Sequence, residues 1–147
     1  MRNVIRTVTP AAVLALAGQL FAGGFYLQMG NPEASAEARK LNAVVTILAT
    51  GCHDPALAKV TATAIGTVNG ERREIPLKLD KLSTPGMFAL ARQWPREGRW
   101  VIRVEANNGV QFTTTLLAAG PEGIDRYHHR EQRSVFTAAD IDAMLQR

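Results

Sequence analysis

The sequence predicts an all-β domain, an antiparallel sandwich of about six or seven strands. An N-terminal signal or anchor helix precedes it and a short C-terminal helix follows. Three observations predict this. Short apolar runs rich in β-branched residues recur at close spacing between residues 41 and 117. Gly, Pro and Asn-Gly turn signals separate them. No helical period interrupts them, which argues against βαβ units and a parallel sheet.

The strands are justified in order. Leu41 to Ala49, LNAVVTILA, is β-branched and ends at the Gly51–Pro55 break. Val60 to Val68 is followed at once by Asn69-Gly70, a strong short hairpin signal. From Arg73 to Leu79, Ile75, Leu77 and Leu79 alternate with polar residues or Pro76. Pro76 cannot donate to a ladder, so this strand belongs on an edge. Met87 to Trp94 places Phe88, Leu90 and Trp94 on one face. Arg99 to Ala106 is the cleanest strand. Trp100, Ile102 and Val104 face a core, and Arg99, Arg103 and Glu105 face outward. Asn107-Asn108-Gly109 turns the chain into Val110 to Leu117, where Val110, Phe112, Thr114 and Leu116 alternate. The expected core is therefore Phe88, Trp100, Ile102, Val104 and Phe112.

The flanks differ in composition. Arg2 and Arg6 precede an apolar run from about Ala11 to Leu27, and no charge occurs between Arg6 and Glu33. Ala34-Ser35-Ala36 then offers small residues where a leader peptidase reads them. This predicts 1–36 as a signal peptide or N-terminal anchor, 37–119 as the sandwich, and 120–147 as a polar linker with a short helix. A retained anchor would hold the chain to a membrane through residues 11–27. Thr137 and Asp140 mark the start of that last helix, about Ala138 to Gln146, with Ile141, Met144 and Leu145 as its apolar stripe. The expected location is outside the cytoplasm, periplasmic or extracellular, with or without the anchor.

Charge and motifs narrow the function. The formal charge is +4, with 17 basic against 13 acidic residues and no dense basic block, so nucleic-acid binding is not expected. The single Cys52 excludes an intramolecular disulfide. There is no G-x-S-x-G, no glycine-rich phosphate loop and no carboxylate pair at glycosidase spacing, so the chain is expected not to be an enzyme.

Two clusters carry possible metal chemistry. Cys52-His53-Asp54 puts a thiol, an imidazole and a carboxylate in a row. His128-His129 holds the other two of the three histidines. If the tail folds over the Cys52 turn, Cys52, His53, His128 and His129 form a copper or zinc site. The alternative is that Cys52 packs as a small apolar residue and the histidines face water. No resident cofactor is implied otherwise.

Trp94, Arg99 and Arg103 are the candidate partner surface: an aromatic beside a loop, and two cations on one strand face. Interleaved Glu71, Glu74, Glu97 and Glu105 give the competing reading of a mixed solvated face.

The stretch Glu97-Gly98-Arg99-Trp100-Val101-Ile102-Arg103-Val104, with a turn glycine before the aromatic that opens a late strand, resembles a feature of small exported sandwiches. With Pro85-Gly86-Met87-Phe88 and the hairpin before it, residues 60–117 resemble the YtkA-like and FixH-like group of immunoglobulin-type domains. That resemblance implies an immunoglobulin-like fold and an exported or membrane-associated accessory role, with some members linked to copper handling. The expected partner is another exported or membrane protein.

Overall fold

The computed structural model describes residues 24–147. The expected N-terminal helix and most of the Ala11–Leu27 run lie outside the described residues. Ten strands and two short helices follow: β1 (Tyr26–Gly30), α1 (Ala36–Lys40), β2 (Ala43–Thr50), β3 (Lys59–Val68), β4 (Glu71–Leu77), β5 (Asp80–Lys81), β6 (Met87–Ala91), β7 (Trp100–Asn107), β8 (Phe112–Gly120), β9 (Gly123–Ile124), β10 (Arg130–Gln132) and α2 (Ala138–Leu145). They form two antiparallel sheets. One has the order β1-β2-β6-β5; the other runs β10-β8-β7-β3-β4, with β9 also paired to β8.

The six expected strands correspond to β2, β3, β4, β6, β7 and β8. At Asn69-Gly70 both residues have positive φ, 51° and 80°, as a two-residue hairpin of matching twist requires. β4 lies at the edge of its sheet, where Pro76 removes no ladder bond from an inner strand.

Both sheets contribute to one core. Leu27, Val45, Ile47, Phe88 and Leu90 come from the first, and Trp100, Ile102, Val104 and Leu117 from the second. Trp100 lies across the β3–β7 pair from Gly66. A Cβ on Gly66 would fall inside the van der Waals envelope of the indole ring. Trp100 is buried and cannot yield. Gly66→Ala is therefore expected to cost about 1–3 kcal/mol by overpacking, read as a lower urea midpoint at unchanged slope.

The second sheet is apolar on its other face as well. Ile65, Val101 and Leu116 are buried there beneath Phe136, Ile141 and Met144. Thr137 starts α2 with a reciprocal capping box to Asp140, which orients the helix stripe onto the sheet. This corrects two expectations. Phe112 is only half-buried, because its face of β8 is the one shared with Leu116 rather than the face inside the sandwich. In the segment 120–147 the short helix stands where expected, at Ala138–Leu145, but the residues before it are not simply a linker: β9 and β10 extend the second sheet, and α2 covers it.

The expected boundary after Ala36 also runs through the folded unit. β1 pairs with β2 from Tyr26↔Thr50 to Gly30↔Thr46, and Phe25 and Leu27 are each 2% exposed. The outer edge of β1 is closed by the second sheet. Phe25 N donates to Gln111 Oε1 (3.2 Å), Leu27 N donates to Glu131 Oε1 (3.4 Å), and Arg126 Nη1 donates to Gly30 O (3.5 Å). These bonds satisfy groups that an open edge would leave to solvent or to another chain. Ser83 donates from its backbone N and its Oγ to the Glu37 carboxylate. Those bonds hold the Glu37 carboxyl below its ordinary range and tie α1 to the β5–β6 loop.

Candidate functional site

Three loops meet at one end of the molecule. After β2 the chain reverses through Gly51, His53 and Asp54, whose φ values of 107°, 62° and 50° are all left-handed. It then makes one 3-10 turn, Pro55–Leu57, before β3. The β7–β8 hairpin lies beside it. Asn108 Oδ1 accepts from Val110 N (3.0 Å) and Gln111 N (2.7 Å), shaping the hairpin. Asn108 Nδ2 donates to Cys52 O (3.3 Å) and His53 O (3.1 Å), fastening the hairpin to the first loop. The β5–β6 loop abuts from the other side. At Gly86, with φ of 75°, a Cβ would stand 3.1 Å from Ala56 Cα. A cavity of about 330 Å³ lies between Ala56–Ala58 and the 81–88 segment.

This end is apolar where it protrudes. Leu57 is 82% exposed and Val110 72% exposed. Cys52, His53 and Asp54 are exposed beside them. Tyr127, on the β9–β10 segment, is equally exposed at 83%, so the loop clamp rather than exposure distinguishes this end.

His128 and His129 lie elsewhere. β8 carries the chain from Phe112, next to the loop end, to Ala118, whose carbonyl accepts from Asp125 N. Six residue steps of strand are about 20 Å. Near that far end His128 Nδ1 is 2.9 Å from Asp125 Oδ2. The hydrogen bond with His128 is the main reason the Asp125 carboxyl sits below its ordinary range. His129 Nδ1 is 3.1 Å from Arg126 O. Both histidines are exposed. The structure thus keeps Cys52 and His53 together and does not bring His128 and His129 to them. Among the described residues, no group of three or more His, Cys, Asp or Glu side chains is placed to share a metal ion.

The three residues expected to form a partner surface have separate fates. Trp94 is 3% exposed and belongs to the core, so it is not a surface aromatic. β6 ends at Ala91, so Trp94 reaches the core from the loop beyond the strand rather than in strand phase. The Arg92 guanidinium covers its ring at 5.3 Å from the centroid, and Arg92 Nη2 donates to Gly120 O on the opposite sheet. Arg103 is half-buried, with carboxylate oxygens of Glu74 and Glu105 each 3.8 Å away. It faces away from the inter-sheet core as expected, but its charge is locally balanced by these two carboxylates, so it is not a free surface cation. Only Arg99 is exposed. It stands with Arg147 at a cleft of about 380 Å³ floored by Ala119, Ile124 and Met144, at the opposite end of β7 from Asn108.

Leu57, Val110 and Asn108 were not among the expected site residues. By its sequence Val110 opens a strand, and Leu57 lies between the Gly51–Pro55 break and the strand that begins at Val60.

Among the described residues, no helix is long and apolar enough to cross a membrane. The chain matches no family model, and comparison with curated proteins and with solved structures gives no significant match.

Proposed function

We propose that this chain is an exported, non-enzymatic accessory module of immunoglobulin-like fold, which binds another exported or membrane protein through its three-loop end. The strand order supports the fold. Lettered A to G from β1 to β8, with β4 as C′, the sheets read A-B-E-D and G-F-C-C′, the partition of immunoglobulin-type sandwiches, with β10 and β9 added beside G. In that scheme the β2–β3 and β7–β8 loops are the B–C and F–G loops, which share one end and carry recognition in variable domains. Fold alone does not assign a function. The observation that carries the reading is the Asn108 clamp, which joins the β2–β3 loop to the β7–β8 hairpin, two segments that each bear one exposed large apolar side chain, Leu57 and Val110. Such a pre-ordered apolar pair loses little freedom on binding.

The test compares variants as bait in envelope extracts, with the captured protein identified and then titrated against the purified chain. Leu57→Asp/Val110→Asp is expected to weaken that specific complex at least tenfold without shifting the melting midpoint. Arg99→Ala, at the far end, is expected to leave it unchanged. A complex indifferent to the double substitution, or measurable turnover of a substrate by the purified chain, would overturn the reading.

A further inference from the structure

We infer that a leader peptidase cuts this chain within Ala22–Gly24, immediately ahead of Phe25, so that the mature protein keeps residues 25–36 as structural elements. The inference rests on the export reading above and adds the site of processing.

The small residues Ala34-Ser35-Ala36 look like the better cleavage signal in the sequence alone. The fold argues against their use. A cut there would remove β1, with Phe25 and Leu27 from the core. It would also remove Ser35, whose Oγ caps α1 by accepting from Ala38 N (3.2 Å). Gln111, Glu131 and Arg126 would lose the backbone partners that they hold on β1. Gly24 adds a backbone contact, its carbonyl against Gly51, which a cut at the Gly24–Phe25 bond would give up.

Upstream of this unit, Ala22-Gly23-Gly24 is the nearest run of small residues. Ala22 stands one residue before the Ala22–Gly23 bond and three before the Gly24–Phe25 bond. For the Gly24–Phe25 bond the two positions that a leader peptidase reads are Ala22 and Gly24, both small; for the Ala22–Gly23 bond they are Leu20 and Ala22, of which only Ala22 is small. The apolar stretch from Ala11 to Phe21 has 11 residues, within the roughly 7–15 of an export leader. Ala15-Leu16-Ala17 also has small residues at both positions. A cut after Ala17 would leave only Ala11–Leu14 ahead of them as apolar core.

The step is amide hydrolysis. Water adds across the peptide bond, its OH going to the carbonyl carbon and its proton to the leaving nitrogen. The leader departs with a new carboxylate, and the mature chain begins with a new ammonium. The peptidase of the exporting membrane supplies the catalysis.

The test is expression of the full chain in a bacterial host, followed by fractionation, intact mass and N-terminal sequencing. The expected exported species begins at Gly23 or Phe25. Ala22→Glu is expected to reduce the processed fraction at least tenfold. Ala34→Glu and Ala36→Glu, at two exposed positions, are expected to leave it unchanged. An exported chain beginning at residue 18 or 37, processing blocked by Ala36→Glu, or an uncut chain held in the membrane would overturn the inference. A full-length chain in the cytoplasm would instead overturn the export reading on which it rests.

Discussion

Trp100→Ala is expected to cost about 3–5 kcal/mol, enough to leave the domain largely unfolded at modest urea. A buried indole removes on the order of 200 Å² from water. Trp100 is 2% exposed in the core between the sheets, and its Nε1 donates to Glu97 O at 3.0 Å. Truncation would also leave a void over Gly66, because β3 carries no side chain there to collapse into it. That geometry makes a sharper expectation than the single variant. Gly66→Ala should destabilise the native chain yet be neutral or stabilising in the Trp100→Ala background, since the ring it would strike is gone. A double-mutant cycle by urea denaturation reads this change of sign. The surface control is Arg99→Ala, expected to stay within about 0.5 kcal/mol of the native chain. Arg103 does not serve as that control, because its guanidinium is half-buried between two carboxylates. If Trp100→Ala melts like the native chain, or the two substitutions simply add, the packing account of this residue fails.

What the sequence discloses here follows from periodicity and its limits. Arg99 to Ala106 could be read because its core face and its charged positions alternate cleanly. Val101 was hidden by the same alternation: nothing local says that the second face of β7 is also covered, and only α2, some forty residues on, supplies the cover. Phe112 is misplaced for a related reason: both faces of β8 carry Thr and Leu, so the alternation does not set its phase. β5, β9 and β10 have two or three residues each, too few to show a period. Trp94 reads as the last residue of a strand, in phase with Phe88 and Leu90; the strand stops at Ala91, and the ring reaches the core from the loop beyond it. At the candidate site, Cys52-His53 and Asn107-Asn108-Gly109 were both legible as turns. Their union by one Asn108 side chain across 55 residues was not, because the contact depends on β3 and β7 pairing in the register that places Lys59 opposite Asn107. β1 was concealed differently. Phe25 and Leu27 sit at the end of a continuous apolar run, where a strand and the tail of an export leader have the same composition.

Removing residues 24–36 is therefore expected to have the other large effect. A chain of 37–147 lacks Phe25 and Leu27, each worth about 1.5–3 kcal/mol when fully buried. Together that is about 3–6 kcal/mol, against a total of roughly 5–15 kcal/mol for a domain. The loss is not confined to transfer energy. Without β1, the strand AVVTILAT of β2 becomes a sheet edge whose backbone groups from Thr46 to Thr50 lose their partner. A flat apolar edge of that kind pairs with other copies. Thr46, Ile47 and Leu48 carry no charge to oppose it. The 37–147 chain is thus expected to be aggregated on gel filtration, while 24–147 elutes as a folded species. Any soluble fraction of 37–147 should unfold at least about 3 kcal/mol more easily in urea. A charge on the new edge separates the two causes. Leu48→Lys in the 37–147 background is expected to reduce aggregation without restoring stability, because it blocks edge pairing but refills no core. If 37–147 is instead soluble and within about 1 kcal/mol of 24–147, β1 is an accessory to the fold and the folded domain begins where the small residues at 34–36 suggest.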